Sequence, residues 1–384
     1  MQNGTAHFAI LGGGLAGLSL ALALRAQRVP AHLTIIEPRE HYTDDRTWCF
    51  WDTDRHPFRD LIAQRWPRWR TRTPQRTATG ESHHTPYCRL RAGAVYQRAL
   101  DQLSGDPDVT LALGSHVTGI CQGTVQTDRG ALAPTAIFDG RPPPQRADWP
   151  GRMQQFLGRR LSFDRPSFEP GRCELMDFCL PQDLGIAFLY VLPEDRHTAL
   201  IEATVLSAER VSQARLAALL ETAIAERYGT PASVHGEENG AIPMLPHPPN
   251  EAPEGTIAIG TRAGAPRPST GYAFLPIQRH SRALAQAAGR GRLAQQPMRS
   301  AFTSWLDKVF LTALANNPRQ APAYFLQLFG KVPSHRLARF LMERGGAVDH
   351  ARVMAALPVR PFMQAALRGP QRLAAPSPVL SDVS

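Results

Sequence analysis

Three glycines near the start of the chain, spaced Gly12-x-Gly14-x-x-Gly17, constrain its fold more than any other stretch. Before them lies the apolar run His7-Phe8-Ala9-Ile10-Leu11, which reads as a short buried parallel strand. After them, Leu15 to Gln27 is dense in Leu and Ala and reads as a helix. Leu33-Thr34-Ile35-Ile36-Glu37 then reads as a second strand, closing a strand–helix–strand unit of about 30 residues. Gly12 permits the tight turn, Gly14 lets the backbone approach a pyrophosphate, and Gly17 lets helix pack closely on strand. The helix N-terminus offers free N–H groups and a positive dipole end to phosphate. Glu37 ends the second strand, where a carboxylate accepts from ribose hydroxyls. The fingerprint by itself fits FAD or NAD, and its place at the start of the chain favours FAD.

Further along, residues 42–90 are rich in Trp, Arg and Pro with little periodicity, and read as an excursion from the sheet toward a substrate region. Leu90 to Leu103 reads as a helix, and Val109 to Gly114 and Ala136 to Asp139 as strands. From about 150 the pattern changes to alternation, as in Ile186–Leu192 and Thr198–Thr204, which predicts antiparallel strands. A helix is expected over roughly 208–227. Ile257-Ala258-Ile259-Gly260 returns as a buried strand with a glycine-rich turn. Residues 299–367 carry apolar residues at helical spacing.

The expected fold is therefore α/β, with a discontinuous Rossmann-like nucleotide-binding domain, an antiparallel-sheet substrate domain and a C-terminal helical region. The expected boundaries are 1–149 for the first nucleotide-binding part, with an excursion at about 45–90, and 150–238 for the substrate domain. The second nucleotide-binding part follows at 239–298, then helices at 299–367 and a flexible tail at 368–384.

The 384 residues carry a formal net charge of +10, almost all from Arg, since Lys308 and Lys331 are the only lysines. Nucleic-acid binding, attraction to an anionic membrane surface and an Arg-favouring genome all give such a charge. No nucleic-acid-binding motif accompanies it, so no nucleic-acid partner is expected. Cys49, Cys88, Cys121, Cys173 and Cys179 are odd in number and form no CxxC pair, which argues against a disulfide framework and a zinc site. Reduced thiols and no bound metal are expected. No signal peptide is read at the N-terminus, and no apolar run reaches the ~18 residues of a spanning helix.

Several local motifs converge on one family. Asp45-Arg46-Thr47-Trp48-Cys49-Phe50-Trp51, Asp139-Gly140-Arg141, Gln154-x-Phe156-x-Gly158 and Met176-Asp177 occur in order. Phe188-x-Tyr190-x-Leu192-Pro193, Leu200-Ile201-Glu202-Ala203-Thr204, Gly240-Ala241-Ile242-Pro243 and Pro268-Ser269-Thr270-Gly271-Tyr272 follow. Together they resemble the bacterial FAD-dependent lycopene beta-cyclases, relatives of the flavin hydroxylases, from about residue 7 to 367. Two positions depart from the pattern. Ala203 stands where the family usually has a second acidic residue, and Thr261 stands where the second flavin motif, Ile259-Gly260-Thr261-Arg262-Ala263-Gly264, usually has Asp.

The resemblance implies conversion of the linear ψ-end groups of lycopene to β-ionone rings, giving γ-carotene and β-carotene. It implies reduced FAD without net electron transfer, NAD(P)H as the reductant, and lycopene or a related linear carotenoid as substrate. It implies a cytoplasmic enzyme bound peripherally to the inner face of the cell membrane. Such chemistry adds a proton to an alkene, closes a ring through a carbocation and releases a different proton. It needs an acid in a dry site, because water quenches the cation, and burial keeps a carboxyl protonated.

Glu202, in a strongly apolar strand, is the expected acid/base or cation-stabilising residue; the flavin as direct proton donor with Glu202 as helper is the other assignment. Gly12, Gly14, Gly17, Glu37, Gly260, Gly264 and Gly271 are the expected cofactor contacts. Trp48, Phe50, Trp51 and Tyr272 are expected to line the polyene channel, where aromatic faces favour a cation. Phe310, Phe325, Phe329 and Phe340, interspersed with Arg, suggest a membrane-facing surface. The competing function is an FAD-dependent monooxygenase or oxidoreductase acting on a lipophilic substrate.

Overall fold

The computed structural model describes residues 5–142, 152–244 and 252–368. The prolines at 246–249 and the tail beyond Arg368 lie outside the described residues. Five parallel strands form the nucleotide-type sheet, in the order Thr256–Ala258, Ala136–Asp139, Ala6–Leu11, Ala31–Glu37, Val109–Leu113. This is a Rossmann-like α/β arrangement. The helix Leu15–Ala26 buries Leu15, Leu18, Leu20, Ala21 and Leu24 and packs on the helix Phe274–Ala288, where Gln278 donates to Ser19 Oγ at 2.8 Å.

A seven-stranded sheet lies beside it, ordered Ser233–Met244, Arg152–Ser162, Thr198–Ser207, Ile186–Pro193, Arg172–Asp177, Arg68–Arg72, Thr77–Glu81. Side chains alternate between faces along a strand. Ile201, Ala203 and Val205 therefore join Ala187, Leu189 and Val191 against Leu216, Leu220 and Ile224 of the helix Gln213–Arg227. Leu200, Leu206, Ile186 and Phe188 face the other way, toward the main core and the C-terminal helices.

The segment 42–90 differs from its reading as a stretch without period. It holds the strands Thr47–Trp51, Gln64–Trp66, Arg68–Arg72, Thr77–Glu81 and Tyr87–Arg91. Two of them, Arg68–Arg72 and Thr77–Glu81, enter the seven-stranded sheet, Arg68–Arg72 lying parallel to Arg172–Asp177. Arginines take the outward positions of that strand while Trp69 and Thr71 are buried, and Arg70 and Arg72 are held by Glu174 and Asp177 at 2.7 and 2.6 Å. Leu90 and Arg91 are strand, and the helix begins at Ala92. The strand Ser233–Met244 runs across position 239, where the second nucleotide-binding part is expected to begin.

The C-terminal region is helical, with Ala301–Asn316, Ala321–Lys331, Ser334–Leu341, Ala347–Ala356 and Val359–Arg368. Among the described residues, no helix is long and apolar enough to cross a membrane.

Candidate functional site

The nucleotide motifs meet at the C-terminal edge of the parallel sheet, where ligands bind in open α/β folds. Gly12 has φ +95°, a conformation that disfavours any side chain. A Cβ on Gly17 would lie 2.0 Å from the Gly12 carbonyl oxygen, so only glycine lets the helix start there. Gly14 is different: a Cβ there would meet no protein atom within 4 Å. That open space at a helix N-terminus fits a pyrophosphate.

Gly260, at φ +62°, comes close enough that a Cβ would sit 2.7 Å from Ala16 Cβ, which joins the second motif to the first. Gly264 has φ +80°, and at Gly271, φ +73°, an added Cβ would lie 3.3 Å from Gln154 Oε1. Thr261 is exposed on the turn Gly260–Ala263. The buried Asp139 is held by Arg141 at 2.8 Å and by Arg262 at 3.4 Å.

Glu37 is buried at the end of its strand. It accepts from the Gly13 N–H at 2.6 Å and from Arg39 Nε at 2.7 Å. The Arg39 backbone N–H also donates to it at 3.0 Å. A carboxylate has about four acceptor sites, so one further donor, such as a ribose hydroxyl, still fits. Glycine cradle, helix end and acidic residue together suit a dinucleotide of the FAD type.

Across the seven-stranded sheet, four residues stand in one row. Glu238 pairs in register with Gly158, Gly158 with Glu202, and Glu202 with Tyr190. Gly158 has no side chain, so the carboxyls on either side face each other over bare backbone. Glu202 is buried, and Thr204 Oγ1 donates to its Oε1 at 2.5 Å. Burial, and then the charge of Glu238, raise the Glu202 carboxyl to about 8. Burial also raises Glu238, opposed by a hydrogen bond from Thr47 and by Arg89. At neutral pH Glu202 therefore holds its proton.

Tyr190 continues the row into a hydroxyl cluster. Its oxygen is 2.8 Å from that of Tyr87, and the Tyr272 hydroxyl donates to Tyr87 at 3.4 Å. Burial holds all three phenols above their ordinary range, so they stay neutral. Cys49 hydrogen-bonds to Tyr190, and burial pushes its thiol up to about 12.

Tyr272 also borders an apolar cavity of about 310 Å³ enclosed by the C-terminal helices. Phe310, Phe325, Phe329 and Phe340, expected at a membrane-facing surface, instead border this cavity, and Phe325 and Phe329 are buried. Their spacing is that of the inner helical faces. At the other end, Trp305, Met354, Val359 and Met363 line the cavity yet are 46%, 50%, 67% and 56% exposed, so it opens to the surface among them. One polar side chain in its wall is Asp307, paired with Arg267 at 2.9 Å and with its Oδ2 unpartnered.

Of the four aromatic residues expected to line a hydrocarbon channel, only Tyr272 borders this cavity. Phe50 is fully buried and stacked on Phe274, with centroids 4.6 Å apart, and Trp51 packs edge-on against Trp69 at 4.4 Å. Trp48 meets Tyr96 and Phe274. Phe50 and Trp51 are core aromatics, for which strand periodicity and channel lining look alike in a sequence. Sequence reasoning missed Tyr87, Tyr190, Glu238 and Asp307. Tyr190 and Gly158 were inside quoted motifs, but only the strand register reveals them as neighbours of Glu202. Among the described residues, no cluster of three or more His, Cys, Asp or Glu is placed to hold a metal ion.

The chain matches the family described as lycopene cyclase protein over residues 7–367. It is 26% identical to a lycopene beta-cyclase of Paracoccus sp., covering 94% of this chain and 97% of that one. It is 28% identical to the lycopene beta-cyclase of Pseudescherichia vulneris, covering 93% and 95%. Among solved structures, it resembles a geranylgeranyl bacteriochlorophyll reductase-like protein of Thermoplasma acidophilum, with TM-score 0.62, 12% identity and coverage of 94% and 99%. A flavoprotein/dehydrogenase of Cytophaga hutchinsonii gives TM-score 0.58 at 11% identity, covering 94% and 98%. These structural likenesses carry the fold.

Proposed function

The chain belongs to the lycopene cyclase family, and from that premise we propose that it is a lycopene beta-cyclase, an isomerase that closes ψ-end groups into β-ionone rings to give γ-carotene and β-carotene. The observation that carries the mechanism is the burial of the Glu202 carboxyl, on the sheet face turned away from the helix Gln213–Arg227, in the same row as Glu238. An acid that keeps its proton at neutral pH in an apolar setting suits protonation of a terminal alkene. Glu238 opposes loss of that proton, and Thr204 fixes the carboxyl's orientation.

Gly12, Gly14, Gly17, Glu37, Gly260, Gly264 and Gly271 are the proposed holders of FAD. Reduced FAD, when bound, supplies negative charge that stabilises a developing cation, with NAD(P)H as the source of its electrons. The reaction is redox-neutral for the carotenoid. The apolar cavity excludes water from the cation, and Tyr272 contributes an aromatic wall. Because its mouth lies among exposed apolar side chains, the enzyme takes its lipid-dissolved substrate from a membrane surface, expected to be the inner face of the cell membrane.

Incubation with lycopene in liposomes, FAD and a reductant tests the function. Products of unchanged mass with cyclic ends are expected. A gain of oxygen, or reductant consumed in step with product, would instead mark a monooxygenase or oxidoreductase. Glu202→Gln is expected to abolish cyclisation with flavin still bound.

A further inference from the structure

Ring closure needs a group that takes the departing proton as well as one that gives the first, and the row that holds Glu202 carries a second carboxyl. Glu238 and Glu202 flank Gly158 in direct register on neighbouring strands, so both side chains rise from one face of the sheet. Strands lie about 4.8 Å apart, so two spacings put these backbones about 10 Å apart. Glu202 leans into that gap: a Cβ on Gly158 would lie 3.3 Å from its Cβ and 3.4 Å from its Cγ. The strand Thr47–Trp51 reaches both ends of the row. Its Thr47 hydrogen-bonds Glu238, and Cys49, on the same face of that strand, hydrogen-bonds Tyr190. Thr47, Cys49, Tyr190 and Glu238 are all partly exposed, whereas Glu202 is buried. Water therefore meets the row on the Glu238 side. From the Tyr190 side, hydroxyl contacts of 2.8 and 3.4 Å lead through Tyr87 to Tyr272, which borders the apolar cavity.

We propose that Glu238 is the catalytic base of the cyclisation: the end group lies over Gly158, Glu202 gives it a proton from one side, and Glu238 takes the departing proton from the other. This deepens the proposed function and rests on the acid assignment to Glu202. Two carboxyls roughly 6.5–9.5 Å apart divide acid and base work in the same way on opposite sides of a sugar. Divergent surroundings mark such a pair. Glu202 has apolar neighbours and one hydroxyl partner, whereas the Thr47 hydroxyl, the charge of Arg89 and access to water favour the anion at Glu238 against its partial burial. In the forward step the Glu202 O–H breaks and its proton joins the terminal alkene, whose π pair becomes the new C–H bond and leaves a tertiary cation. The π pair of the internal alkene closes the six-membered ring and leaves the positive charge on the adjacent ring carbon. A C–H on the ring carbon just joined then breaks toward Glu238, and its electron pair becomes the ring double bond. Glu238 passes the proton to water, and Glu202 regains one from water when the product leaves. One proton enters, one departs, and no electrons are exchanged. The position of Glu238 selects which C–H breaks, and so the β ring over isomers whose double bond forms toward another neighbour.

Glu238→Gln removes the base, keeps its size, and lies on a strand exposed over most of its length. With lycopene in liposomes and reduced FAD, β-ring formation should fall by about 100-fold or more, the usual scale of a lost proton-transfer partner. Flavin absorbance and melting temperature should be unchanged. The cation that still forms should leave as isomeric rings of the same mass or as a cyclic product heavier by one water, and in heavy water each closed ring should carry one deuterium. A wild-type rate in Glu238→Gln overturns the base assignment, as does a slower reaction that yields β rings alone, which would mark an effect of charge on Glu202. If Glu238→Gln does not fold, Glu238→Asp, which draws the carboxyl back by one methylene, should show the same shift to isomeric rings, and an unchanged product ratio there overturns the proposal. Glu202→Gln should form neither rings nor deuterated products. β rings alone from Glu238→Gln beside a dead Glu202→Gln refute the base and spare the acid, whereas turnover by Glu202→Gln refutes the acid assignment itself.

Discussion

Glu202 and Glu238 face each other across Gly158, each in direct register with it on adjoining strands. A Cβ on Gly158 would lie 3.3 Å from Glu202 Cβ. Two carboxyls so placed cannot both ionise cheaply, and this tunes the proposed acid. With its carboxyl at about 8, Glu202 is protonated through neutrality, so kcat should fall with one ionisation near pH 8. Glu238→Gln removes the opposing charge, and the alkaline limb should move to lower pH. A limb that stays in place would separate Glu238 from the acid.

The same carboxyl makes stability depend on pH. Its folded value lies above its ordinary 4.5, so the folded state binds the proton more tightly. That contribution is fully present below about pH 4.5 and is lost as pH rises toward 8. The melting temperature of wild type should therefore decline relative to Glu202→Gln over this window. A constant difference between the two would contradict a buried neutral acid.

Ala203 follows Glu202 in sequence but points to the opposite face, fully buried against the helix Gln213–Arg227. Its departure from the acidic residue usual in the family thus lies away from the Glu202 row. Ala203→Asp should place an unpaired carboxylate in that apolar layer and cost about 3 kcal/mol or more. Thermal denaturation is the measurement, and an unchanged melting temperature would mean that the side chain reaches water.

Gly14 and Gly17 should separate fold from cofactor. Gly17→Ala forces a Cβ to 2.0 Å from Gly12 oxygen, and should destabilise the apoprotein. Gly14→Ala meets no protein atom, so the apoprotein should melt as wild type while FAD affinity, read by fluorescence titration, drops. Equal FAD affinity in Gly14→Ala would remove that glycine from the pyrophosphate site.

How far these relationships were visible beforehand depends on what kind of information fixes them. The Gly12 turn, Glu37 and the buried strand of Glu202 are local: period and glycine spacing suffice. The strand Arg68–Arg72 alternates too, but its outward residues are arginines whose charges are met by Glu174 and Asp177 far along the chain, so it resembled an irregular basic stretch. Ser233–Met244 is an edge strand exposed over most of its length. Pairing with Arg152–Ser162, not its own composition, makes it a strand. The Glu238–Gly158–Glu202–Tyr190 row is a matter of register, which sets long-range neighbours that no single segment encodes.

The cavity mouth gives the last prediction. Trp305, Val359 and Met363 are each about half exposed or more while lining an apolar cavity, an arrangement that leaves hydrocarbon surface in water. Lys308 and Arg360 are exposed on the same helices, and Arg352 on the helix Ala347–Ala356 that carries Met354; each basic residue near an anionic membrane contributes about 1 kcal/mol. Burying three large apolar side chains in the interface contributes about 1.5–3 kcal/mol each at full burial. A triple change of Trp305, Val359 and Met363 to Ser should therefore lower partition onto anionic vesicles by at least about tenfold, since 1.4 kcal/mol corresponds to tenfold. Turnover of vesicle-dissolved lycopene should fall in parallel, and turnover of detergent-dispersed lycopene should persist, because the Glu202 row lies elsewhere in the fold. Unchanged sedimentation with vesicles would place the membrane contact on another surface, whereas loss of activity in detergent as well would mean that these residues shape the substrate site itself.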